Sequence, residues 1–199
     1  MLYVNRLRFF EIAVLFEGGL GVSAILLGRL FGLRLEDLGA VDTAALGWGI
    51  GATIPTLLLY MLLRSLPWDC LRRVSEQVRQ IFRAEMRSLS IWKLAILALA
   101  AGFGEEFLFR GLLQKGLCNL SGGNELVVIV AVSLLFGLCH FLSKTYAVLA
   151  FLMSLYLGFL FRWTDNLFVP VAVHALYDFF VFLHLRLECR SAVDGNDRF

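Results

Sequence analysis

Six ionisable residues are concentrated in three of the long apolar runs of this sequence. They are Glu105, Glu106, Arg110, His140, His174 and Asp178. An ionisable group at the centre of a membrane span costs at least about 2.5–3.5 kcal/mol, so such groups usually mark a functional site. Glutamate and histidine are also the side chains that most often move protons in enzymes near neutral pH. The three runs therefore predict a site of acid–base chemistry within a bilayer.

Helical spacing assigns these residues to faces. Glu106 and Arg110 are four residues apart, so they share a helix face and can form an ion pair. Glu105 lies about 100° round the helix from Glu106, which leaves it free to face a cavity. His174 and Asp178 are also four residues apart, so the carboxylate can orient or charge the imidazole. Each of the three runs thus brings an acid–base group towards one interior site.

These residue types suit hydrolysis by activated water, with no serine or cysteine nucleophile. A glutamate shielded from bulk water is a competent general base. His140 can hold the same water, and a second histidine can donate to the oxyanion that forms when water attacks a carbonyl. Pairing with a cation makes a carboxylate a weaker base. We therefore expect Glu105 to be the base and Glu106 to be the partner of Arg110.

Composition indicates which elements position these residues. Apolar residues make up 59% of the 199 residues and charged residues 17%, whereas soluble chains have about 45–50% and about 25%. A helix that crosses a bilayer needs about 20 apolar residues. Six segments have this character: Ile12–Phe31, Leu46–Leu63, Ile91–Leu113, Leu126–Leu142, Thr145–Trp163 and Leu167–Leu187. The expected fold is all-α, a polytopic transmembrane bundle of about six spans.

The chain divides into three expected regions. Residues 1–90 form a two-span N-terminal region with a basic cytoplasmic segment, residues 91–187 a catalytic helical core, and residues 188–199 a polar tail. The basic segment, Arg64–Ser90, has six arginines and apolar residues at helical spacing, which predicts an amphipathic helix on the membrane surface. Because basic segments stay in the cytoplasm, both termini should be cytoplasmic, in a multi-pass protein of the plasma or inner membrane.

Three short motifs carry a resemblance to a known family. They are EExxxR, FxxxH and HxxxD, at Glu105–Arg110, Phe136–His140 and His174–Asp178. Each lies on its own apolar span. Together they resemble the CPBP family, which comprises CAAX prenyl proteases of the Ras-converting type and bacteriocin-processing or immunity proteins. The resemblance covers about Ile91–Phe182, roughly half of the chain.

The resemblance implies an intramembrane endopeptidase and a role for each motif residue. The implied site has a water-activating pair, Glu105 and His140, an oxyanion-binding pair, His174 and Asp178, and a supporting pair, Glu106 and Arg110. The family often has Asn where this chain has Asp178. A charged aspartate would favour a protonated His174 and a stronger hydrogen-bond donor, and it could also favour a metal.

The resemblance leaves two alternatives for the metal. The family is often described as metalloproteases, and a metal-free glutamate mechanism is the competing account. In the first case the zinc ligands would be Glu105, His140, His174 and Asp178, since two histidines with carboxylates can bind Zn²⁺. However, the chain has no HExxH motif, and a glutamate–histidine pair can activate water unaided. We therefore expect a glutamic-type endopeptidase without a cofactor.

Partners and rival functions follow from the same features. The expected partners are the lipid bilayer and a peptide or lipidated protein, of the prenylated CAAX type or with a leader peptide. No nucleic acid is expected, and the oligomeric state is open. A non-proteolytic immunity or scaffold protein of the same family would act by binding and would tolerate Glu105→Gln. A proton-coupled transporter, a third alternative, would carry proton flux without any peptide.

His184, Glu11 and Glu17 lie outside the motifs. His184 is ten residues beyond His174, which favours an interfacial histidine. Glu11 and Glu17 have no assigned role; we expect them near the membrane interface or paired with arginines.

Overall fold

A computed structural model of the chain describes residues 3–121 and 124–194, which form helices and no strand. The helices are α1 (Tyr3–Leu30), α2 (Thr43–Ser65), α3 (Asp69–Ser88), α4 (Ile91–Glu106), the short α5 (Gly116–Ser121), α6 (Glu125–Cys139), α7 (Lys144–Thr164) and α8 (Phe168–Asp194). A 3₁₀ turn, Leu35–Leu38, precedes α2, and a π-helix, Phe107–Lys115, continues α4. The predicted all-α fold is confirmed.

Four helical segments are long and apolar enough to cross a membrane. They are Phe9–Leu30, Thr43–Ser65, Lys144–Thr164 and Phe168–Arg190. Large apolar side chains are exposed on the outside of the bundle; Leu15 is 74% exposed and Trp163 is 81% exposed. Hydrocarbon solvates such a surface, whereas water would not. The chain is thus a helical membrane bundle, as its composition predicts.

The fourth predicted span, Leu126–Leu142, is shorter than expected. Helix α6 has 15 residues, a rise of about 22 Å, whereas the hydrocarbon core is about 30 Å thick. The helix ends because His140 leaves helical geometry and its Nδ1–H donates to the carbonyl of Phe136, at 2.9 Å. A helix this short ends before it has crossed the core. His140 is therefore held inside the bundle.

The third predicted span, Ile91–Leu113, changes its helix type in the middle. It is α-helical to Glu106 and a π-helix from Phe107. Within the π-helix, Arg110 donates to the carbonyl of Ser154 at 2.8 Å and Gln114 donates to the carbonyl of Gly158 at 3.0 Å. Both bonds attach this segment to α7. π-Helical turns are rare and occur often at functional sites.

Helices α4 and α8 lie at the centre of the bundle. They pack on each other; α1 also packs on α4, α2 on α8, and the α6–α7 hairpin closes the remaining side. Glycines permit the closest approaches. A Cβ atom added to Gly104 would lie 1.9 Å from the carbonyl oxygen of Glu17, and one added to Gly102 would lie 2.9 Å from the backbone of α8. Two helices therefore touch α4 immediately before Glu105.

Helix α3 is amphipathic, as its sequence predicts. Leu71 and Val74 are buried, and this helix packs on α8. Five arginines are exposed on its other faces: Arg72, Arg73, Arg79, Arg83 and Arg87. Its position on a membrane surface stays a prediction.

The predicted C-terminal tail, residues 188–199, begins as helix. Helix α8 continues past Leu187, where the predicted apolar span ends, to Asp194. Residues 195–199 lie outside the described part of the chain.

Candidate active site

A buried ion pair forms the floor of the site. Arg110 Nη1 donates to Glu106 Oε1 at 3.1 Å, the pair that their four-residue spacing predicts, and both side chains are at most 1% exposed. Arg110 Nη2 also donates to the carbonyl and the hydroxyl of Ser154, at 2.8 and 2.9 Å. A charge enclosed in a bilayer needs such partners. Glu106 is thus held in the ion pair through Oε1, while its Oε2 is buried without a hydrogen-bond partner.

His174 lies directly above this pair. Its Nδ1–H donates to Glu106 Oε1 at 2.7 Å, so the same carboxylate oxygen holds both the arginine and the imidazole. The opposite ring nitrogen, Nε2, lies 3.6 Å from Asp178 Oδ2 and 3.9 Å from Glu105 Oε2. Glu106 fixes the orientation of the ring, and Nε2 faces two further carboxylates.

Glu105 points away from the ion pair and towards both histidines. Its Oε1 lies 3.6 Å from His140 Nε2, and its Oε2 is buried without a hydrogen-bond partner. A separation beyond 3.5 Å is too long for a direct hydrogen bond and has room for a bridging water. Since Nδ1 of His140 donates to the carbonyl of Phe136, a neutral His140 presents the lone pair of Nε2 to Glu105.

The Phe136 ring contacts both His140 and Arg110. Its ring stacks on His140 with centroids 4.3 Å apart, and the Arg110 guanidinium lies 5.2 Å from its centroid on the buried side. Exposure of the side chains rises along the site, from 0% for Glu106 through 12% for Glu105 to 26% for His140. The site therefore opens on the His140 side, at the end of the bundle where α6 ends and α7 begins.

The donor geometry bears on whether zinc fits. Among the residues that the structure describes, no group of three or more His, Cys, Asp or Glu side chains is arranged to hold a metal ion. Nδ1 of His140 and Nδ1 of His174 are both committed to protein acceptors. The predicted zinc ligands come together, with Glu105 3.6 Å from His140 and 3.9 Å from His174, and with Asp178 3.6 Å from His174.

Sequence reasoning missed several residues at this site. Ser154, on α7, accepts two hydrogen bonds from Arg110, and the Tyr146 ring lies 6.4 Å from the His140 ring. Glu17, on α1, lies within electrostatic range of Glu105, His140, His174 and Asp178, so it lies beside the site. An ionisable residue within an apolar run was the available signal for Glu17. No such signal marks Ser154.

His184 lies elsewhere on α8. Its Nδ1 is 3.1 Å from the hydroxyl of Tyr60 on α2, and its Nε2 is 3.7 Å from Glu188. The interfacial histidine that the sequence predicts is thus half-buried in a contact between two helices.

The part of the chain that contains this site is similar to a known protein family. Residues 87–180 match the family described as type II CAAX prenyl endopeptidase, Rce1-like. We call this matched range the Rce1-like domain, for its similarity to that family. The resemblance that the three motifs indicate is thereby confirmed. All six predicted site residues lie within the matched range, whereas α1, α2, most of α3 and the end of α8 lie outside the Rce1-like domain.

The chain is also similar to a curated protein. It is an uncharacterized protein, YpbD, of Bacillus subtilis (strain 168), 34% identical over 102 residues, which are 50% of this chain and 49% of YpbD. The chain thus spans about half the length of the curated relative that it matches. No solved structure matches the chain.

Proposed function

We propose that this chain is an intramembrane endopeptidase that hydrolyses a peptide bond with water activated by Glu105. The observation that carries the proposal is the position of Glu105 between two histidines. Its Oε1 lies 3.6 Å from His140 Nε2 and its Oε2 lies 3.9 Å from His174 Nε2, inside a membrane bundle. The Rce1-like domain supports the reaction class.

The nucleophilic water would lie between Glu105 and His140. Both groups accept hydrogen bonds, so a water that donates one hydrogen to each turns an oxygen lone pair towards the substrate carbonyl. Glu105 then takes a proton as the water oxygen attacks. Phe136 holds the His140 ring by stacking, which keeps Nε2 directed at the water. Glu106 is less suited to this role than Glu105, because Arg110 and His174 occupy its Oε1 and the side chain is fully enclosed.

His174 would stabilise the oxyanion. With Nδ1–H on Glu106 and Nε2 facing Asp178 and Glu105, the ring has carboxylates on both sides and can carry hydrogen on both nitrogens. Such an imidazolium donates from Nε2 to the oxygen of the tetrahedral intermediate. Asp178 keeps positive charge on the ring. The proton held by Glu105 passes to the leaving amine as the C–N bond breaks, so a carboxylic acid and an amine leave the site.

The proposed substrate is a CAAX-type peptide with a prenylated cysteine, because the matched family is one of CAAX prenyl endopeptidases. The test compares matched farnesylated and unprenylated peptides with protein reconstituted in vesicles, and the products are identified by mass spectrometry. We expect one internal cut, faster in the farnesylated peptide. Equal rates would reject prenyl recognition. Absence of any cut, with peptide still bound, would favour the non-proteolytic alternative.

Metal removal is expected to leave the activity unchanged. A Glu105–His140 pair can activate water without a Lewis acid, and both Nδ1 atoms of the histidines are bonded to protein oxygens. The measurement is the cleavage rate after exhaustive treatment with a chelator, beside elemental analysis of the purified protein. Stoichiometric zinc, together with activity that is lost on chelation and restored by zinc, would contradict this expectation.

The basic face of α3 is expected in the cytoplasm, on the side to which the site opens. Cys70 is an exposed free cysteine at the start of this helix, so it can report its side directly. A membrane-impermeant maleimide should label it after permeabilisation and not in intact cells. Cys70→Ser supplies the background from the other cysteines. Labelling of intact cells that disappears in Cys70→Ser would place this helix, and the site opening, outside.

A further inference from the structure

Glu17 lies outside the Rce1-like domain and yet belongs to the site. Its backbone carbonyl packs against Gly104, where an added Cβ would be 1.9 Å away. Since Gly104 directly precedes Glu105, this contact places the backbone of Glu17 beside the segment that carries the proposed general base. The ionisable groups that face it come from three other helical segments: Glu105 from α4, His140 from the end of α6, and His174 and Asp178 from α8.

The carboxylate of Glu17 has an acceptor that the protein does not use. Its Oε2 is buried and has no hydrogen-bond partner. No lysine or arginine among the described residues lies within ion-pair distance of this side chain. A buried polar atom without a partner is costly, more so where bulk water cannot replace the partner. A buried carboxylate oxygen that lacks a partner in the protein can accept a hydrogen bond from a group that the ligand brings.

The other polar groups of the site already have tasks. Glu106 accepts from Arg110 and His174, His140 Nδ1 donates to Phe136, and Glu105 is reserved for the water. A peptide that enters the bundle brings backbone N–H groups, and each must find an acceptor once it leaves water. Glu105 Oε2 and Glu106 Oε2 are also buried without a partner, but Glu105 serves the water and Glu106 is fully enclosed. Glu17 Oε2 is therefore the unpartnered acceptor that a peptide can use.

We propose that Glu17 binds the substrate by accepting a hydrogen bond from a backbone N–H beside the scissile bond. This inference rests on the proposed peptidase function and adds to it a residue that the Rce1-like domain does not contain. Glu17 selects for an extended peptide by means of its main chain, whatever the side chains on it. Helix α1 is then a wall of the substrate site.

The first test separates binding from chemistry. Glu17→Ala should raise KM about 10- to 100-fold, the loss of one hydrogen bond to a charged acceptor, while kcat changes little. Glu17→Gln keeps an acceptor oxygen and should recover part of the loss. Glu11→Ala is the matched control, because Glu11 is an exposed glutamate six residues earlier on α1, and it should match the wild type. A fall in kcat with KM unchanged would overturn the proposal.

The second test identifies the donor. Ester-containing peptides replace one N–H at a time by oxygen along the farnesylated substrate. At one position the ester should weaken binding to the wild type and abolish the difference between the wild type and Glu17→Ala. An effect of Glu17→Ala that persists with every ester, or that follows a basic side chain instead, would reject a main-chain hydrogen bond.

Binding is measured in the Glu105→Gln background, where the peptide is not consumed, so the inference does not depend on turnover. Labelled farnesylated peptide is titrated into reconstituted Glu105→Gln protein and into the Glu17→Ala/Glu105→Gln variant. Weaker binding to the double variant supports the proposal, even if the wild type cleaves nothing and the peptidase function fails. Equal binding to both proteins, or no binding to either, overturns the proposal, whatever the wild type cleaves.

Discussion

Glu105→Gln is expected to lower the rate of peptide cleavage by about 10²- to 10⁴-fold, the contribution of a general base. Glutamine keeps the size of the side chain and its capacity for hydrogen bonds but cannot take a proton from water. The fold should not suffer, because Glu105 makes no direct hydrogen bond that holds a helix, and its Oε2 has no hydrogen-bond partner. The predicted variant is inserted, stable and inactive.

The measurement for Glu105→Gln is the initial cleavage rate beside the thermal unfolding midpoint in the same detergent. His140→Gln is a useful companion, since it removes the other holder of the water and should also reduce the rate. A Glu105→Gln protein that retains substantial turnover would show that the base is elsewhere. If stable Glu106→Gln protein were inactive at the same time, the roles of the two glutamates would be reversed.

Glu106→Gln should mainly lower stability. Glu106 Oε1 holds Arg110 at 3.1 Å and His174 at 2.7 Å, and the ion pair is fully enclosed. Removing one partner of a buried ion pair costs about 3–5 kcal/mol, because the remaining charge is left uncompensated. Arg110 would keep its bonds to Ser154, which lessens the loss but does not neutralise the charge. Yield and unfolding midpoint should both fall.

A double variant tests the cause of that loss. If an uncompensated Arg110 is responsible, Glu106→Gln/Arg110→Met should be at least as stable as Glu106→Gln alone, because the unpaired charge is gone. The comparison uses unfolding midpoints and the fraction of monodisperse protein in detergent. Additive losses in the double variant would mean that the two residues act independently, contrary to the shared hydrogen bond.

Much of the fold can be predicted from the sequence, because a bilayer imposes a length and a composition on every span. The bounds predicted for α2 and α7 differ from the observed ones by no more than three residues at either end. The pairing of Glu106 with Arg110 follows from helical spacing alone, since their interaction is local. The amphipathic character of α3 is equally a local property.

The remaining features depend on contacts between distant segments. The π-helix from Phe107 is stabilised by hydrogen bonds from Arg110 and Gln114 to α7. Because α7 lies about 40 residues away along the chain, no local sequence pattern predicts the π-helix. The early end of α6 is an exception, because it accompanies a local bond from His140 back to Phe136. The place of Glu17 depends on how α1 crosses α4 at Gly104.

Helix α1 shows how a match to a family can stop short of the complete site. The Rce1-like range begins at residue 87, so a comparison limited to that domain assigns no part of the site to α1. Packing of α1 on α4 nevertheless brings a fourth carboxyl group to Glu105, Glu106 and Asp178. In the proposed mechanism, a segment outside the shared domain contributes to substrate selection while the three motifs carry the chemistry.

The most direct test of hydrolysis by Glu105 is the mass of the cleavage products formed in ¹⁸O-labelled water. Reconstituted wild-type protein should cut the farnesylated peptide once and leave one ¹⁸O atom in the new carboxyl terminus, and Glu105→Gln should give almost none of this product. Intact peptide after incubation with folded wild-type protein, or labelled product formed equally fast by Glu105→Gln, would contradict the account.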